Sequence, residues 1–136
     1  MKYDIIVIGS GPGGYVAAIR ASQLGKKTAI VERAEAGGVC LNWGCIPTKA
    51  LLKSAQVYTY CKNAAHYGLE LAGEVRPDLE KIVARSRGVA ETMSKGVAFL
   101  LKKNNIDLIQ GFGRLKGDGR VNVDGTEYEA DHIILA

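Results

Sequence analysis

Two cysteines five residues apart, Cys40 and Cys45, are the residues in this chain best suited to chemistry. Paired thiols in one short stretch point either to dithiol–disulfide exchange or to metal ligation. A disulfide requires Cα atoms about 4.4–6.8 Å apart. Residues five apart in one regular helix, rising about 1.5 Å each, stand somewhat farther apart than that. The spacing therefore predicts Cys40 in an irregular loop and Cys45 at the start of a helix, a turn that Gly44 and Pro47 suit. A helix N-terminus, with Lys49 one turn further on, stabilises a thiolate at Cys45. In a chain with no export signal, such a pair reads as catalytic rather than as a static staple. The metal alternative rests on Cys40, Cys45, Cys61 and His66, which superficially resemble a zinc pattern. On a helix, however, Cys61 and His66 lie about 140° apart around the axis and face different ways. Cys61 reads instead as a small apolar helix residue and His66 as a helix-end or loop residue, and no metal site is expected.

The second constellation is Gly9-Ser10-Gly11-Pro12-Gly13-Gly14, which follows an apolar run and precedes an alanine-rich one. In a G-x-G-x-x-G loop between strand and helix, Gly9 permits the tight turn and Gly11 lets the backbone approach a pyrophosphate. Gly14 allows close helix–strand packing. The helix N-terminus adds free N–H groups for phosphate. Alone the motif is weak, because Gly-rich turns are common. Glu32, eighteen residues after Gly14 at the end of the next apolar run, strengthens it. A carboxylate there accepts hydrogen bonds from an adenosine ribose, and it favours FAD or NAD over NADP. A dithiol beside a dinucleotide site decides between those two. Thiols react through sulfur whereas NAD takes a hydride, and a flavin relays between both chemistries.

These residues need a scaffold, and the apolar pattern supplies one. Ile5 to Ile8 reads as a buried parallel strand, Gly13 to Leu24 as a helix closed by Gly25, and Thr28 to Val31 as a second buried strand ending at Glu32. That is a βαβ unit. Arg33 to Gly44 reads as irregular, and Pro47 to Ala65 as a helix with Leu51, Ala55 and Tyr58 on one face. Asp78, after Pro77, is the expected N-cap of a long helix whose packed face runs Leu79, Ile82, Ser86, Ala90, Met93, Val97, Leu100. Gly88 and Gly96 weaken that helix, and close helix contacts are the expected reason for them. Ile106 to Ile109 reads as a strand, Asp124-Gly125 as the turn of a hairpin between 120–123 and 126–129, and Ile133 to Leu135 as the start of another buried strand. The fold class is thus α/β: a Rossmann-type three-layer domain with a parallel sheet and a β-meander or hairpin, expected to be the truncated N-terminal part of an FAD-binding domain spanning residues 1–136.

Composition sets the outer limits. The 136 residues, 47% of them apolar, suffice for one core. The 18 Lys and Arg are interleaved with 14 acids, so the net charge of +4 is not concentrated in the manner of a nucleic-acid surface. No apolar run is long enough for a membrane span, and the N-terminal apolar stretch reads as a strand rather than a signal sequence. A cytoplasmic protein with no nucleic-acid or membrane partner is expected.

The segment from Gly37 through Cys40 and Cys45 to Ile46-Pro47-Thr48-Lys49-Ala50-Leu51-Leu52, together with Asp4 to Tyr15, resembles the pyridine nucleotide–disulfide oxidoreductases over the whole chain. Its Ile-Pro-Thr-Lys-Ala-Leu-Leu continuation is similar to the dihydrolipoamide dehydrogenase branch rather than to the glutathione reductases. That resemblance implies that Cys40 is the interchange thiol and Cys45 the thiol nearest the flavin, forming a thiolate–flavin charge-transfer state. It implies that Gly9, Gly11, Pro12, Gly13 and Gly14 hold the FAD pyrophosphate and Glu32 the adenosine ribose. Arg33, Gly38 and Val39 would line the cofactor, Lys49 would contact the flavin end, and Gly113 would offer backbone to the adenine. It further implies tightly bound FAD, NAD as electron acceptor, a homodimer when full length, and lipoyl-bearing proteins of 2-oxo acid dehydrogenase or glycine cleavage systems as partners. Members of the family carry NAD and interface domains, with a His–Glu acid/base pair in the latter. Neither His66 nor His132 occupies that position, so this stretch alone is expected not to turn over. A glutathione- or mercuric-reductase-like activity is the alternative within the family. A non-catalytic nucleotide-binding module is the alternative outside it.

Overall fold

The computed structural model describes all residues, Met1 to Ala136, and arranges them around one six-stranded sheet of order β3-β2-β1-β6-β5-β4. Strand β1 (Lys2–Ile8) pairs in parallel with β2 (Thr28–Glu32) on one side and with β6 (Thr126–Leu135) on the other. Strand β3 (Asp107–Gln110) extends the parallel run beyond β2. Strands β4 (Gly113–Gly117) and β5 (Arg120–Val123) complete an antiparallel meander with β6. The parallel strands are apolar on both faces because each face is covered. On one face Val7 and Ile30 pack under Ala18, Leu41, Val97 and Leu101 from the helices. On the other, Ile6, Ala29 and Val31 meet Val121 and Val123 of the meander. Helices, parallel sheet and meander make the expected three layers.

Helix α1 (Pro12–Gln23) joins β1 to β2, and Gly25 follows it with φ of +80°. Helix α4 (Leu79–Lys103) starts where expected, with the Asp78 carboxylate accepting from the Lys81 N–H at 3.1 Å. The hairpin turn is also as expected: Asp124 and Gly125 take φ of +46° and +95°, the backbone of a type I′ turn.

Several expectations are corrected. Residues 33–44 are not all irregular, since Gly38–Asn42 forms a one-turn helix, α2, and Cys40 lies in it. It is too short to show a periodic pattern. Its turn is tied by the buried Asn42 side chain, whose Nδ2 donates to the carbonyls of Ala36 (3.1 Å) and Gly38 (3.0 Å). Helix α3 (Cys45–Lys62) ends before Ala65, and a separate 3₁₀ turn follows over Ala64–Tyr67. Its buried residues are Pro47 and Ala50, with Ser54, Tyr58 and Cys61 partly covered, whereas Leu51 and Ala55 are exposed. In α4 the buried stripe continues through Ser94 and Leu101 rather than Met93 and Leu100, so Leu79 at its start is exposed as well. Small residues, Ala50 in α3 and Ser86, Ala90 and Ser94 in α4, make up much of these inner faces, with Val97 and Leu101 the bulkier members toward the C-terminal end of α4. Gly88 and Gly96 do not serve a close helix contact: a Cβ at either would meet nothing within 4 Å. The strand expected at Ile133 is the continuation of the hairpin strand, one element of ten residues. Strand β4 was not anticipated, because Gly113-Arg114-Leu115-Lys116-Gly117 has almost no apolar alternation. No helix is long and apolar enough to cross a membrane.

Candidate functional site

The carboxyl ends of the parallel strands open into one cleft of about 690 Å³. It lies where the connections leave β1 in one direction toward β2 and where β6 enters on the other side, the usual ligand position in an open parallel sheet. From the expected residues it gathers Gly9, Gly11, Pro12, Glu32, Arg33, Gly38, Val39, Cys40 and Gly113. Gly13 and Gly14 do not line it. They belong to the first turn of α1, where only their backbone faces the loop.

Steric requirements explain the glycines. A Cβ at Gly14 would strike the carbonyl of Gly9, so helix and strand can be this close only without one. A Cβ at Gly38 would stand 2.8 Å from Gly11 Cα, which binds the start of α2 to the loop. A Cβ at Gly11 would meet no protein atom within 4 Å, yet Gly11 lines the cleft. The backbone there is open to the cleft. Helix α1 has no side-chain cap at its N-terminus, so its first N–H groups remain available to an anion. Gly113, at the start of β4, is pressed against Val31 and Ile8, where a Cβ would come within 3.2 and 3.3 Å of their methyl groups.

Glu32 is buried at the end of β2 and held on several sides. The Ser10 hydroxyl donates to Oε2 at 2.6 Å and the Ser10 N–H to the same oxygen at 3.0 Å. The Ala34 N–H donates to Oε1 at 2.9 Å. Burial by itself opposes the ionised carboxylate. The bonds from the Ser10 hydroxyl and from the backbone of Ala34, Ser10 and Arg33 outweigh it, leaving the Glu32 pKa below the ordinary glutamate value. Ser10 Oγ in turn accepts from the Gly37 N–H at 3.1 Å, linking the glycine loop, the carboxylate and the entry to α2.

Cys45 is the first residue of α3, as its spacing predicts, and Gly44 before it offers no side-chain cap. Both cysteines are free thiols, Cys40 partly buried and Cys45 exposed. The Cys45 side chain, as hydrogen-bonding partner, raises the Cys40 pKa above the ordinary thiol value, and desolvation adds to it. The Cys45 backbone N–H and the charge of Lys49 act in the opposite sense. Cys45 and Lys49 do not line the cleft; both are exposed, Cys45 at the start of α3 and Lys49 one turn further on.

Ser10, Ala34, Trp43, Phe112 and Ala136 also line the cleft, and sequence reasoning did not single them out as site residues. Phe112 stands between two cations, with the Arg33 guanidinium 5.9 Å and that of Arg114 5.3 Å from its ring centre. Ser10 had a legible signal: a small polar residue inside a glycine turn, one strand away from a carboxylate, needs a buried partner. Phe112 had none, because its place depends on β4, which the pattern did not reveal.

Comparison with known proteins agrees with this arrangement. A family model described as pyridine nucleotide-disulphide oxidoreductase matches residues 3–136. A dihydrolipoyl dehydrogenase of Rhizobium etli is 52% identical, the match covering 99% of this chain and 32% of that protein. Proteins of the same name from Acholeplasma laidlawii and Zymomonas mobilis are 50% and 53% identical, covering 99% and 98% of this chain and 40% and 30% of theirs. The chain thus spans about a third of the length of the curated relatives it matches.

Proposed function

This chain belongs to the pyridine nucleotide-disulphide oxidoreductase family, and from that premise we propose that it is the FAD-binding, dithiol-bearing part of a dihydrolipoyl dehydrogenase. The observation that carries the reading is the cleft itself, which brings together an uncapped helix N-terminus, the buried carboxylate of Glu32 and the Cys40 thiol. The residues present fit FAD. Gly9 to Gly14 would hold its pyrophosphate, Glu32 its adenosine ribose, and the Gly113 backbone its adenine. Arg33, Gly38 and Val39 would flank it, and Lys49 would meet its flavin end. When bound, FAD supplies a two-electron carrier that accepts electrons from a dithiol and passes them to NAD as a hydride.

The chain's own residues supply the thiol exchange. With Cys40 and Cys45 joined as a disulfide, one thiolate of a dihydrolipoyl group attacks the Cys40 sulfur, and Cys45 leaves as a thiolate at the N-terminus of α3. The second substrate thiol then displaces Cys40, giving a lipoyl disulfide and two reduced cysteines. Cys40, raised in pKa by its Cys45 neighbour, takes up the proton. The reading brings with it a homodimeric full-length enzyme, lipoyl-bearing partners from 2-oxo acid dehydrogenase or glycine cleavage systems, and a cytoplasmic location. The test is to denature the purified full-length protein and identify what is released. FAD in equal amount to protein is expected; NAD alone, or no nucleotide after reconstitution, would overturn the proposal.

A further inference from the structure

Of the hydrogen bonds that reach residues 41–44, between the two cysteines, one comes from outside their own segment: the Arg87 guanidinium of α4 donates to the Asn42 carbonyl at 2.5 Å. We propose that Arg87 is a positioning residue for the dithiol: by holding that carbonyl it presets the backbone from Cys40 to Cys45 in the arrangement a disulfide needs, and so favours the disulfide over the two thiols. This rests on the reading of Cys40 and Cys45 as an exchanging pair.

Asn42 stands two residues after Cys40 and three before Cys45, in the middle of the ring that a Cys40–Cys45 disulfide closes. Its carbonyl ends the one-turn α2 and takes no backbone N–H, so Arg87 satisfies a group that the helix leaves open. Arg87 takes part in none of the ion pairs, although Glu35 and Glu91 line the same recess, so its guanidinium is not drawn away from the carbonyl. Two turns further along the same face of α4, Ser94 donates to the Ala36 carbonyl at 2.8 Å, just before α2. The Asn42 side chain reaches that same carbonyl at 3.1 Å, which joins the two ties. Helix α4 therefore holds the cysteine segment on both sides of Cys40. In this arrangement the thiols already meet, since the Cys45 side chain is the hydrogen-bonding partner of Cys40. A backbone residue left free would have to be ordered as the disulfide closes, at about tenfold in the equilibrium constant for each. Arg87 orders the middle of the ring beforehand. It acts through the backbone, because the cation that bears on the Cys40 thiol is Lys49. Arg85, two residues earlier on α4, gives the contrast: it donates to the Ala50 carbonyl at 2.9 Å, in α3 and outside the ring.

The equilibrium to measure is balanced: the cysteine disulfide breaks as the lipoamide disulfide forms, and two electrons and two protons pass from dihydrolipoamide to the cysteines. The full-length flavoprotein is equilibrated anaerobically, without NAD, in dihydrolipoamide–lipoamide buffers of graded ratio. Acid quenching followed by alkylation then gives, from the mass of the peptide carrying Cys40 and Cys45, the ratio at which half of the pairs are disulfide. Arg87→Ala should move that midpoint about tenfold in favour of the dithiol, about 30 mV in potential, while Arg85→Ala stays within about twofold of the wild type. Arg87→Met keeps the aliphatic stem, should shift the midpoint as Arg87→Ala does, and serves if Arg87→Ala does not fold. A merely structural arginine would lower the melting temperature and leave the midpoint in place, and that result overturns the proposal. So does a shift in favour of the disulfide, or an equal shift from Arg85→Ala. If the wild-type pair does not titrate at all, the exchanging-pair reading has failed and the role of Arg87 falls with it. A normal wild-type titration that the Arg87 variants leave unmoved sinks only the role given to Arg87.

Discussion

At the residue scale the two thiols are chemically distinct although they are neighbours. Cys40 is partly buried, lines the cleft and has its pKa raised by hydrogen bonding with Cys45, whereas Cys45 opens α3 and is exposed. Separate substitutions should expose the difference in the full-length flavoprotein. Cys45→Ser is expected to abolish the long-wavelength charge-transfer absorbance of the reduced protein, while Cys40→Ser preserves it, and either should stop dihydrolipoamide oxidation. Survival of the band without Cys45 would reverse the assignment. Glu32 makes a second prediction through pH. Its folded-state pKa lies below the ordinary value of 4.5, because four hydrogen-bond donors outweigh its burial. A depressed carboxylate pKa contributes stability that is fully present above the ordinary value and lost as pH falls through the folded one. Thermal melts at successively lower pH should therefore show an acid limb beginning near 4.5. Glu32→Gln should be less stable at neutral pH and should flatten that limb; an unchanged limb would mean that other carboxylates carry it.

At the element scale, α4 shows how a glycine's cost depends on its surroundings. Gly88 and Gly96 are helical, exposed, and without a neighbour that a Cβ would touch. Replacing either with alanine should stabilise the chain by about 0.5–1 kcal/mol, the helix-propensity difference uncorrected by any clash. Chemical denaturation of the single variants measures this, and a loss of stability would show that the open space is used by something else. Gly38 should respond in the opposite sense. It has φ of +63° and its missing Cβ would stand 2.8 Å from Gly11 Cα. Gly38→Ala is expected to destabilise the chain and to loosen the join between α2 and the glycine loop. The one-turn α2 depends on such ties: Asn42 holds its carbonyls, and Arg87 of α4 donates to the Asn42 carbonyl at 2.5 Å. A short helix has little stability of its own, so the position of Cys40 is set by α4 as much as by its own segment.

At the scale of the whole molecule, the chain carries large apolar side chains on its outside. Val39, Trp43, Leu52 and Phe99 are all more than half exposed, at 68, 54, 64 and 64%. Val39 and Trp43 line the cleft, so part of this surface sits where a cofactor's ring end would be covered. Residues 1–136 expressed by themselves should bind FAD far more weakly than the full-length protein, and should show neither diaphorase nor lipoamide activity. The adenosine and pyrophosphate end would be held while the ring end stayed in water, and exposed apolar patches favour association. Fluorescence titration of the isolated stretch with FAD tests this, and tight stoichiometric binding with turnover would show it to be self-sufficient.

Sequence alone determined the candidate site residues and the βαβ frame. The cysteine spacing, the glycine loop, Glu32 at a strand end, the Asp78 cap and the Asp124-Gly125 turn are local features. Each is dictated by φ, by steric contact within a few residues, or by apolar runs long enough to have a period. What the tertiary structure alone decided was non-local. Ser10 became the partner of Glu32 across 22 positions, and Arg87 came to hold the segment of the cysteines across 45. Phe112 entered the cleft because β4, almost without apolar alternation, is held by its pairing to β5 rather than by its own pattern. The inner face of α3 moved from Leu51 to Ala50, and that of α4 kept Ser86, Ala90 and Val97 but moved from Met93 and Leu100 to Ser94 and Leu101. Periodicity reports which residues are apolar. It does not report how near the neighbouring element will come, and that distance decided which of them were buried.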